Sequence, residues 1–168
     1  IAWHPAMRRT LDDLQAVSEA LRVVAGRAGL RLDEAEHHPD AARREAAAAE
    51  ASLLTPVLKA FATEQGFSGA SRALQVWGGY GYVRDYGIEQ TLRDSRIAMI
   101  YEGTNEIQAI DLVVRKLLGA GAPAFEALLQ SLAADADDSA AGSALTEQVR
   151  SEEHTSELQS PMYLACRL

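Results

Sequence analysis

Apolar residues recur at intervals of three and four near the start of the chain, and this periodicity constrains the fold more than any other feature. It extends from about Pro5 to Glu36 through Met7, Leu11, Leu14, Val17, Leu21, Val24, Ala28 and Leu32. Because an α-helix has about 3.6 residues per turn, this spacing aligns the apolar side chains along one side. The pattern predicts one long amphipathic helix, in which Gly26 and Gly29 allow close packing against a neighbouring helix.

Further helices are predicted downstream. The segment from about Ala41 to Gln65 begins with alanine, glutamate and arginine, which are strong helix formers. Pro56 either kinks this helix or starts a new one with Thr55 as its N-cap, and Gly66 is expected to end the segment. Three shorter helices are predicted over residues 67–76, 88–100 and 106–118. Because aromatic residues make up only 6% of the chain, the predicted fold class is all-α, an antiparallel helical bundle.

The stretch from Asp94 to Gln108 places one carboxylate, Glu102, at a break between two apolar helical segments. Gly103 and Asn105 tolerate the backbone angles that end a helix, and either Thr104 or Asn105 can cap the next one. We expect the apolar neighbours to shelter Glu102 from water, which raises the pKa of a carboxyl group. That property suits a general base that acts near neutral pH.

A glycine-rich segment, Gly78-Gly79-Tyr80-Gly81-Tyr82, lies upstream of this break. It is not a dinucleotide-binding fingerprint, because no strand precedes it and the third glycine is not at the required spacing. Two interpretations stay open from the spacing alone. The glycines either form a tight turn or allow a polar ligand to approach the backbone closely.

Three segments together resemble the C-terminal helical domain of the acyl-CoA dehydrogenases, which are FAD enzymes. They are the glycine-rich segment, Arg93-Asp94 and Tyr101–Gln108. The resemblance covers residues 4–118 and is strongest over residues 73–108. Other segments resemble the branch of the family typified by 3-methylmercaptopropionyl-CoA dehydrogenase, namely His4-Pro5, His38-Pro39-Asp40 and Leu54-Thr55-Pro56-Val57.

The resemblance implies α,β-dehydrogenation of an acyl-CoA thioester, with hydride transfer to N5 of FAD. It makes Glu102 the general base and its backbone N–H a donor to the thioester oxygen. It implies that Gly103 leaves room for the substrate and that Thr104 and Glu106 lie against the flavin. It also implies that the ADP half of an FAD held mainly by a neighbouring subunit contacts Gln75, Val76, Trp77, Gly78 and Gly79. Arg93-Asp94 is interpreted as a partly buried strut beside the glycine turn.

The same resemblance implies an acyl-CoA substrate, FAD as cofactor and electron-transfer flavoprotein as the electron acceptor. It implies a homodimer or homotetramer for the full-length protein. The family's N-terminal helical domain and middle β-domain are absent from this sequence, so we expect the chain to be a fragment that is inactive alone. Two alternatives remain: an acyl-CoA oxidase on the same fold, or a non-enzymatic helical interaction module.

The composition of the chain argues against several classes of binding partner. The net charge of −8 argues against a nucleic-acid partner, because phosphate binding requires a basic surface. No apolar run is long enough to cross a bilayer, so no membrane partner is predicted. The single cysteine, Cys166, fits a reducing cytoplasm. No metal site is predicted, because His4, His37 and His38 have no cysteine or carboxylate cluster to complete one.

The sequence changes character after Gly119. Residues 1–120 are predicted to form the helical domain described above. Residues 121–149 are predicted to begin a partly flexible C-terminal helical extension, with a short helix from Ala124 to Ala133. Residues 150–168 resemble a translated sequencing adapter, and we interpret them as a disordered, non-native tail.

Overall fold

The computed structural model describes residues 3–137, and all of their regular secondary structure is helical. The six α-helices are α1 (Pro5–His37), α2 (Ala41–Val57), α3 (Thr63–Val76), α4 (Ile88–Ile97), α5 (Asn105–Ile110) and α6 (Ala122–Asp137). Wider, π-helical segments cover Leu58–Ala62 and Asp111–Leu117, and short 3₁₀ turns cover Gly78–Tyr82 and Arg84–Tyr86. The all-α fold class predicted from the sequence is therefore confirmed. The described residues divide into two compact units, with the boundary between Ile110 and Asp111.

Helices α1 and α2 form an antiparallel hairpin about a short polar turn. The Asp40 carboxylate accepts a hydrogen bond from the Ala42 N–H at 2.9 Å and thereby caps α2. The Arg44 guanidinium donates to the His38 carbonyl at 2.7 Å, and the His38 ring accepts from the Asp40 N–H at 3.1 Å. These bonds give His38 a structural role within the turn.

A half-buried ion-pair cluster joins the two helices of the hairpin. Glu50 of α2 lies between two arginines of α1, with its carboxylate 2.6 Å from Arg27 Nε and 2.9 Å from Arg31 Nε. The contact between Arg31 Nε and Glu50 is not aligned as a hydrogen bond. The Arg31 guanidinium donates a hydrogen bond to the Glu34 carboxylate. That bond is the main reason that the Arg31 pKa is raised, and Glu50 adds to the effect. The cluster sets the register of α1 against α2.

Pro56 neither restarts the helix nor ends it. The Thr55 hydroxyl bonds the Ala51 carbonyl at 2.8 Å instead of capping, and Pro56 is fully buried within α2. The backbone remains helical through the π-helical segment into α3, where Gly66 occupies an interior position. The predicted helix end at Gly66 is therefore wrong. A single glycine costs a helix only about 1 kcal/mol, and packing of α3 against α1 and α4 outweighs that cost.

The buried core of the first unit is built mainly from small side chains: Ala28, Ala47, Ala51, Leu53, Leu54, Pro56 and Ala70. The predicted close approach at Gly26 and Gly29 is wrong, because a Cβ at either position would meet no atom within 4 Å. The close approach lies instead at Gly69 of α3, where a Cβ would be 3.4 Å from Leu14 Cδ2. The sequence periodicity gave no sign of which glycine faced a neighbour.

Helix α4 ends at Ile97, three residues earlier than predicted, and the chain tightens into a turn over residues 98–100. In this turn the Ile100 N–H donates to the Ile97 carbonyl at 2.9 Å. Arg93 and Asp94 are both exposed, and the Asp94 carboxylate accepts from Gln90 at 2.6 Å. The partly buried strut proposed for Arg93-Asp94 is therefore wrong.

The second unit is described as far as residue 137. Its π-helical segment, Asp111–Leu117, replaces the α-helix predicted to continue to residue 118. Asp111 pairs with Arg115 at 3.1 Å and Lys116 at 3.0 Å. Helix α6 contains the predicted helix over residues 124–133 and extends beyond both ends. Predictions for residues 138–168 lie outside the described residues.

Candidate active site

The turn between α4 and α5 holds the strained backbone of this structure. Glu102 has a φ of 54° and is the one non-glycine residue with positive φ among residues 3–137. Gly103 follows it with a φ of 88°. A side chain in this left-handed region costs about 1–2 kcal/mol, which glycine avoids. Such strain is concentrated at functional sites in proteins, so Glu102 is a candidate functional residue.

The Glu102 carboxylate is exposed rather than sheltered. Its apolar neighbours Ile100, Tyr101 and Ile107 are themselves between 49% and 55% exposed, so they form a surface beside it instead of a cover. The expectation of an apolar enclosure around Glu102 is therefore wrong for this chain.

Thr104 is the residue that caps α5, which begins at Asn105. The Thr104 hydroxyl accepts a long hydrogen bond from the Ile107 N–H at 3.5 Å, and its carbonyl accepts from the Gln108 N–H at 3.1 Å. The Gln108 side chain also donates to the Glu102 carbonyl at 3.5 Å. The turn is thus joined to α5 on both sides of Gly103.

Glu106 lies in the first turn of α5, next to the Glu102 turn. Its pKa is lowered, chiefly because the carboxylate accepts from its own backbone N–H and then from the Thr104 hydroxyl. Arg96 and Lys59 add electrostatic attraction. This arrangement resembles the reciprocal capping of a helix start, in which a first-turn carboxylate bonds back toward the cap.

Asn105 anchors the Glu102 turn to the π-helical segment Leu58–Ala62 and the start of α3. From the sequence it was considered only as a possible cap. Its amide oxygen lies 3.3 Å from Lys59 Nζ and 3.2 Å from the Thr63 hydroxyl, and its amide nitrogen donates to the Ala60 carbonyl at 3.3 Å. These partners lie 42 to 46 residues away in sequence. No local sequence pattern could have paired Asn105 with these partners. Asn105 is the sole asparagine of the chain.

The glycine-rich segment forms a 3₁₀ turn, which fits the first of its two interpretations, and its glycines serve different purposes. Gly78 has a φ of 59°, and a Cβ at Gly78 or Gly79 would meet no atom within 4 Å. Gly81 is buried, and a Cβ there would lie 2.5 Å from the Leu74 carbonyl oxygen. Gly81 is therefore required by packing, whereas the backbone at Gly78 and Gly79 is open to a ligand.

Exposed aromatic rings surround that open backbone. The Tyr86 ring lies 5.7 Å from the ring of Trp77 and 5.3 Å from that of Tyr80. Gln75 is exposed and Val76 is half-buried at the end of α3. The predicted site residues thus fall on two separate segments. Glu102, Gly103, Thr104 and Glu106 share one turn, and residues 75–79 occupy the other.

A cavity of about 420 Å³ also lies in the first unit, lined by Arg84, Gly87, Glu89, Gln90 and Arg93. It contains none of the predicted site residues. Among residues 3–137, no cluster of three histidine, cysteine or carboxylate side chains could hold a metal ion. Within the same residues no helix is long and apolar enough to cross a membrane.

A comparison with protein families decides what this domain is. Residues 1–118 match the model of the acyl-CoA dehydrogenase C-terminal domain. The chain belongs to the acyl-CoA dehydrogenase family. Members of this family are FAD-dependent flavoproteins. The family resemblance inferred from the glycine turn and the Glu102 turn is therefore confirmed.

Individual acyl-CoA dehydrogenases are similar over most of the chain. The 3-methylmercaptopropionyl-CoA dehydrogenase of Ruegeria pomeroyi is 39% identical over 149 residues, which are 89% of this chain and 25% of that protein. The broad-specificity linear acyl-CoA dehydrogenase FadE5 of Mycobacterium tuberculosis is 37% identical over 122 residues, 70% of this chain and 20% of that protein. The chain therefore spans a quarter or less of the length of these relatives.

A solved structure supports the same fold. The Bd2924 apo-form superposes with a TM-score of 0.69 and 28% sequence identity, over 78% of this chain and 25% of that one. Against this family background, the glycine turn fits the flavin cofactor in one testable respect. Its open, side-chain-free backbone at Gly78 and Gly79 and the exposed ring of Trp77 suit a polar, aromatic ligand.

Proposed function

We propose that this chain supplies the general base of a flavin-dependent acyl-CoA dehydrogenase and that Glu102 is that base. The observation that carries the proposal is the left-handed backbone at Glu102, φ 54°, which presents its carboxylate on an apolar surface. A glutamate in this conformation costs stability that a glycine there would not. A purely structural turn would have no need of the carboxylate.

In the proposed reaction, Glu102 removes the proton next to the carbonyl of an acyl-CoA thioester. FAD, when bound, accepts the hydride from the β carbon at N5. The negative charge that develops on the thioester oxygen requires a preorganised donor, and the Glu102 backbone N–H takes that role. Gly103 leaves room for the thioester, and Ile100, Tyr101 and Ile107 offer an apolar surface to the acyl chain.

The other site residues have roles in binding FAD. Thr104 and Glu106, at the start of α5, would lie beside the flavin. The second segment, Gln75, Val76, Trp77, Gly78 and Gly79, would hold the ADP half of an FAD from a neighbouring subunit. The full-length protein is proposed to be a cytoplasmic homodimer or homotetramer that passes electrons to electron-transfer flavoprotein.

The test is Glu102→Gln in a full-length dehydrogenase that carries this domain. Turnover is expected to fall by at least about 100-fold, the usual contribution of a general base, while flavin content stays normal. Glu64→Gln is the matched control, since Glu64 is an exposed carboxylate of α3, and its turnover should equal that of the wild type. Wild-type turnover in Glu102→Gln would contradict the proposal, as would loss of flavin followed by normal turnover after reconstitution.

A further inference from the structure

We propose that Asn105 and Lys59 are positioning residues that hold the Glu102 turn against the π-helical segment Leu58–Ala62. The inference rests on the proposed role of Glu102 as base. It adds a requirement that no local sequence pattern indicates. The base is placed by contacts from a helix more than 40 residues away, as well as by the turn that carries it.

The hydrogen-bond partners fix the orientation of the Asn105 amide. Its oxygen faces the Lys59 ammonium, which can only donate, and its nitrogen faces the Ala60 carbonyl, which can only accept. Reversing the amide would set donor against donor and acceptor against acceptor. Asn105 therefore fits one way round, and the start of α5 is tied to one position on the opposite helix.

The π-helical geometry brings these partners together. Lys59 and Ala60 both lie within the segment, and Thr63 follows it, so three polar groups face Asn105 from less than two turns of helix. The Thr63 hydroxyl has a single proton, and its nearest acceptor is the Lys59 carbonyl at 2.7 Å. The contact between the Thr63 hydroxyl and the Asn105 amide oxygen, at 3.2 Å, is therefore weaker than the bond from Lys59 Nζ to the same oxygen.

The anchor is close enough to Glu102 to matter for catalysis. Only Gly103 and Thr104 separate Glu102 from Asn105, and the Gln108 side chain of α5 reaches back to the Glu102 carbonyl at 3.5 Å. Lys59 is half-buried, so losing its acceptor on Asn105 leaves a cation without that hydrogen bond near the turn. A displacement of about 1 Å at a reacting group can lower the rate about 100-fold.

The experiment compares Lys59→Met, Lys59→Gln and Asn105→Leu in the full-length dehydrogenase, measuring kcat, KM and flavin content. Lys59→Met and Asn105→Leu are expected to lower kcat by about 10- to 100-fold with KM changed less than about threefold. Lys59→Gln should recover part of kcat, because its amide can still donate to Asn105.

Thr55→Val is the matched control. Thr55 makes the same kind of bond to the carbonyl four residues earlier as Thr63 does, but its acceptor is Ala51 rather than a residue that bonds Asn105. Its kcat should stay at the wild-type value. If Asn105→Leu does not fold, the comparison of Lys59→Met with Lys59→Gln decides.

Two outcomes would overturn the proposal. One is a wild-type kcat in Lys59→Met, and the other is equal loss in Lys59→Met and Lys59→Gln. The failure of the proposed base is distinguishable, because it requires Glu102→Gln to remain active. If Glu102→Gln is inactive while Lys59→Met is fully active, the base assignment stands and the positioning role fails.

Discussion

Glu102 and Gly103 lie next to each other in the left-handed backbone region, with φ values of 54° and 88°. These two left-handed residues follow each other in the segment that joins α4 to α5. The second is a glycine, which adopts this conformation without strain, but the first carries a full side chain. The turn thus keeps a carboxylate where the backbone alone would favour glycine.

The first prediction is that Glu102→Gly is more stable than Glu102→Ala by about 1 kcal/mol. Glycine relieves the left-handed strain, whereas alanine keeps it. Urea unfolding of this chain measures the difference. Gly103→Ala is the companion variant and should be destabilised, because its Cβ would also lie 2.9 Å from Gln108 Nε2. Equal stability of Glu102→Gly and Glu102→Ala would show that the site is unstrained.

The second prediction separates two glycines of the same turn. Gly81→Ala should destabilise the fold by about 1–3 kcal/mol, because its Cβ would collide with the Leu74 carbonyl. Gly79→Ala should leave the melting temperature almost unchanged, because its Cβ would meet no atom within 4 Å. In a full-length dehydrogenase, Gly79→Ala should instead weaken FAD affinity, measured by flavin titration of the apoprotein. Unchanged affinity would remove Gly79 from the cofactor site.

How far the sequence predicted this structure depended on the range of the interactions involved. The first helix and the glycine turn follow from local periodicity and local backbone preference, and both were found where predicted. At Pro56 the sequence left a kinked helix and a restarted helix open. The continuation of helix through Gly66 was missed, because packing of α3 against other helices outweighs the local penalty of that glycine. The anchor at Asn105 was missed because its partners are distant in sequence.

The exposure of Glu102 shows a different limit. The apolar neighbours of Glu102 were expected to shelter it, but Ile100, Tyr101 and Ile107 are each about half exposed. Periodicity states that apolar residues share a side of a helix, but it does not state whether anything covers that side. The left-handed φ of Glu102, which is the stronger sign of function, had only the adjacent Gly-Thr-Asn as a signal in the sequence.

The third prediction concerns the glycines of α1. Gly29→Ala should stabilise this chain by about 0.5–1 kcal/mol, because alanine is the better helix former and its Cβ would meet no atom within 4 Å. Gly69→Ala is the contrasting variant in α3, where the Cβ would lie 3.4 Å from Leu14 Cδ2. It should gain less. Thermal unfolding of the two variants tests the difference, and destabilisation by Gly29→Ala would indicate an unrecognised contact on α1.

The fourth prediction concerns the ion-pair cluster between α1 and α2. Glu50→Ala should destabilise the chain by about 1–2 kcal/mol, because it removes the partner shared by Arg27 and Arg31. Glu45→Ala, at an exposed position on the same helix, is the control and should change stability by less than about 0.5 kcal/mol. Because the cluster is half-buried, high salt should reduce the loss only in part. Equal effects of the two variants would mean that the cluster contributes nothing.

The last prediction is a pH dependence from Glu106, whose pKa is lowered in the folded chain below its ordinary value of 4.5. A lowered pKa means that folding favours the charged form. The stabilisation is therefore present above the unfolded value and is lost as pH falls through the folded one. The difference in melting temperature between wild type and Glu106→Gln should thus be constant above about pH 5 and shrink toward lower pH.

The pH-dependent stabilisation by Glu106 is small, because Glu106 is exposed. The response of this stabilisation to salt identifies its cause. Hydrogen bonds from the Glu106 N–H and the Thr104 hydroxyl are the main contributions, and Arg96 and Lys59 contribute less. High salt screens the two cations but not the hydrogen bonds, so most of the pH dependence should persist. Parallel melting curves for wild type and Glu106→Gln across this pH range would contradict the hydrogen-bonded placement of Glu106 beside the Glu102 turn.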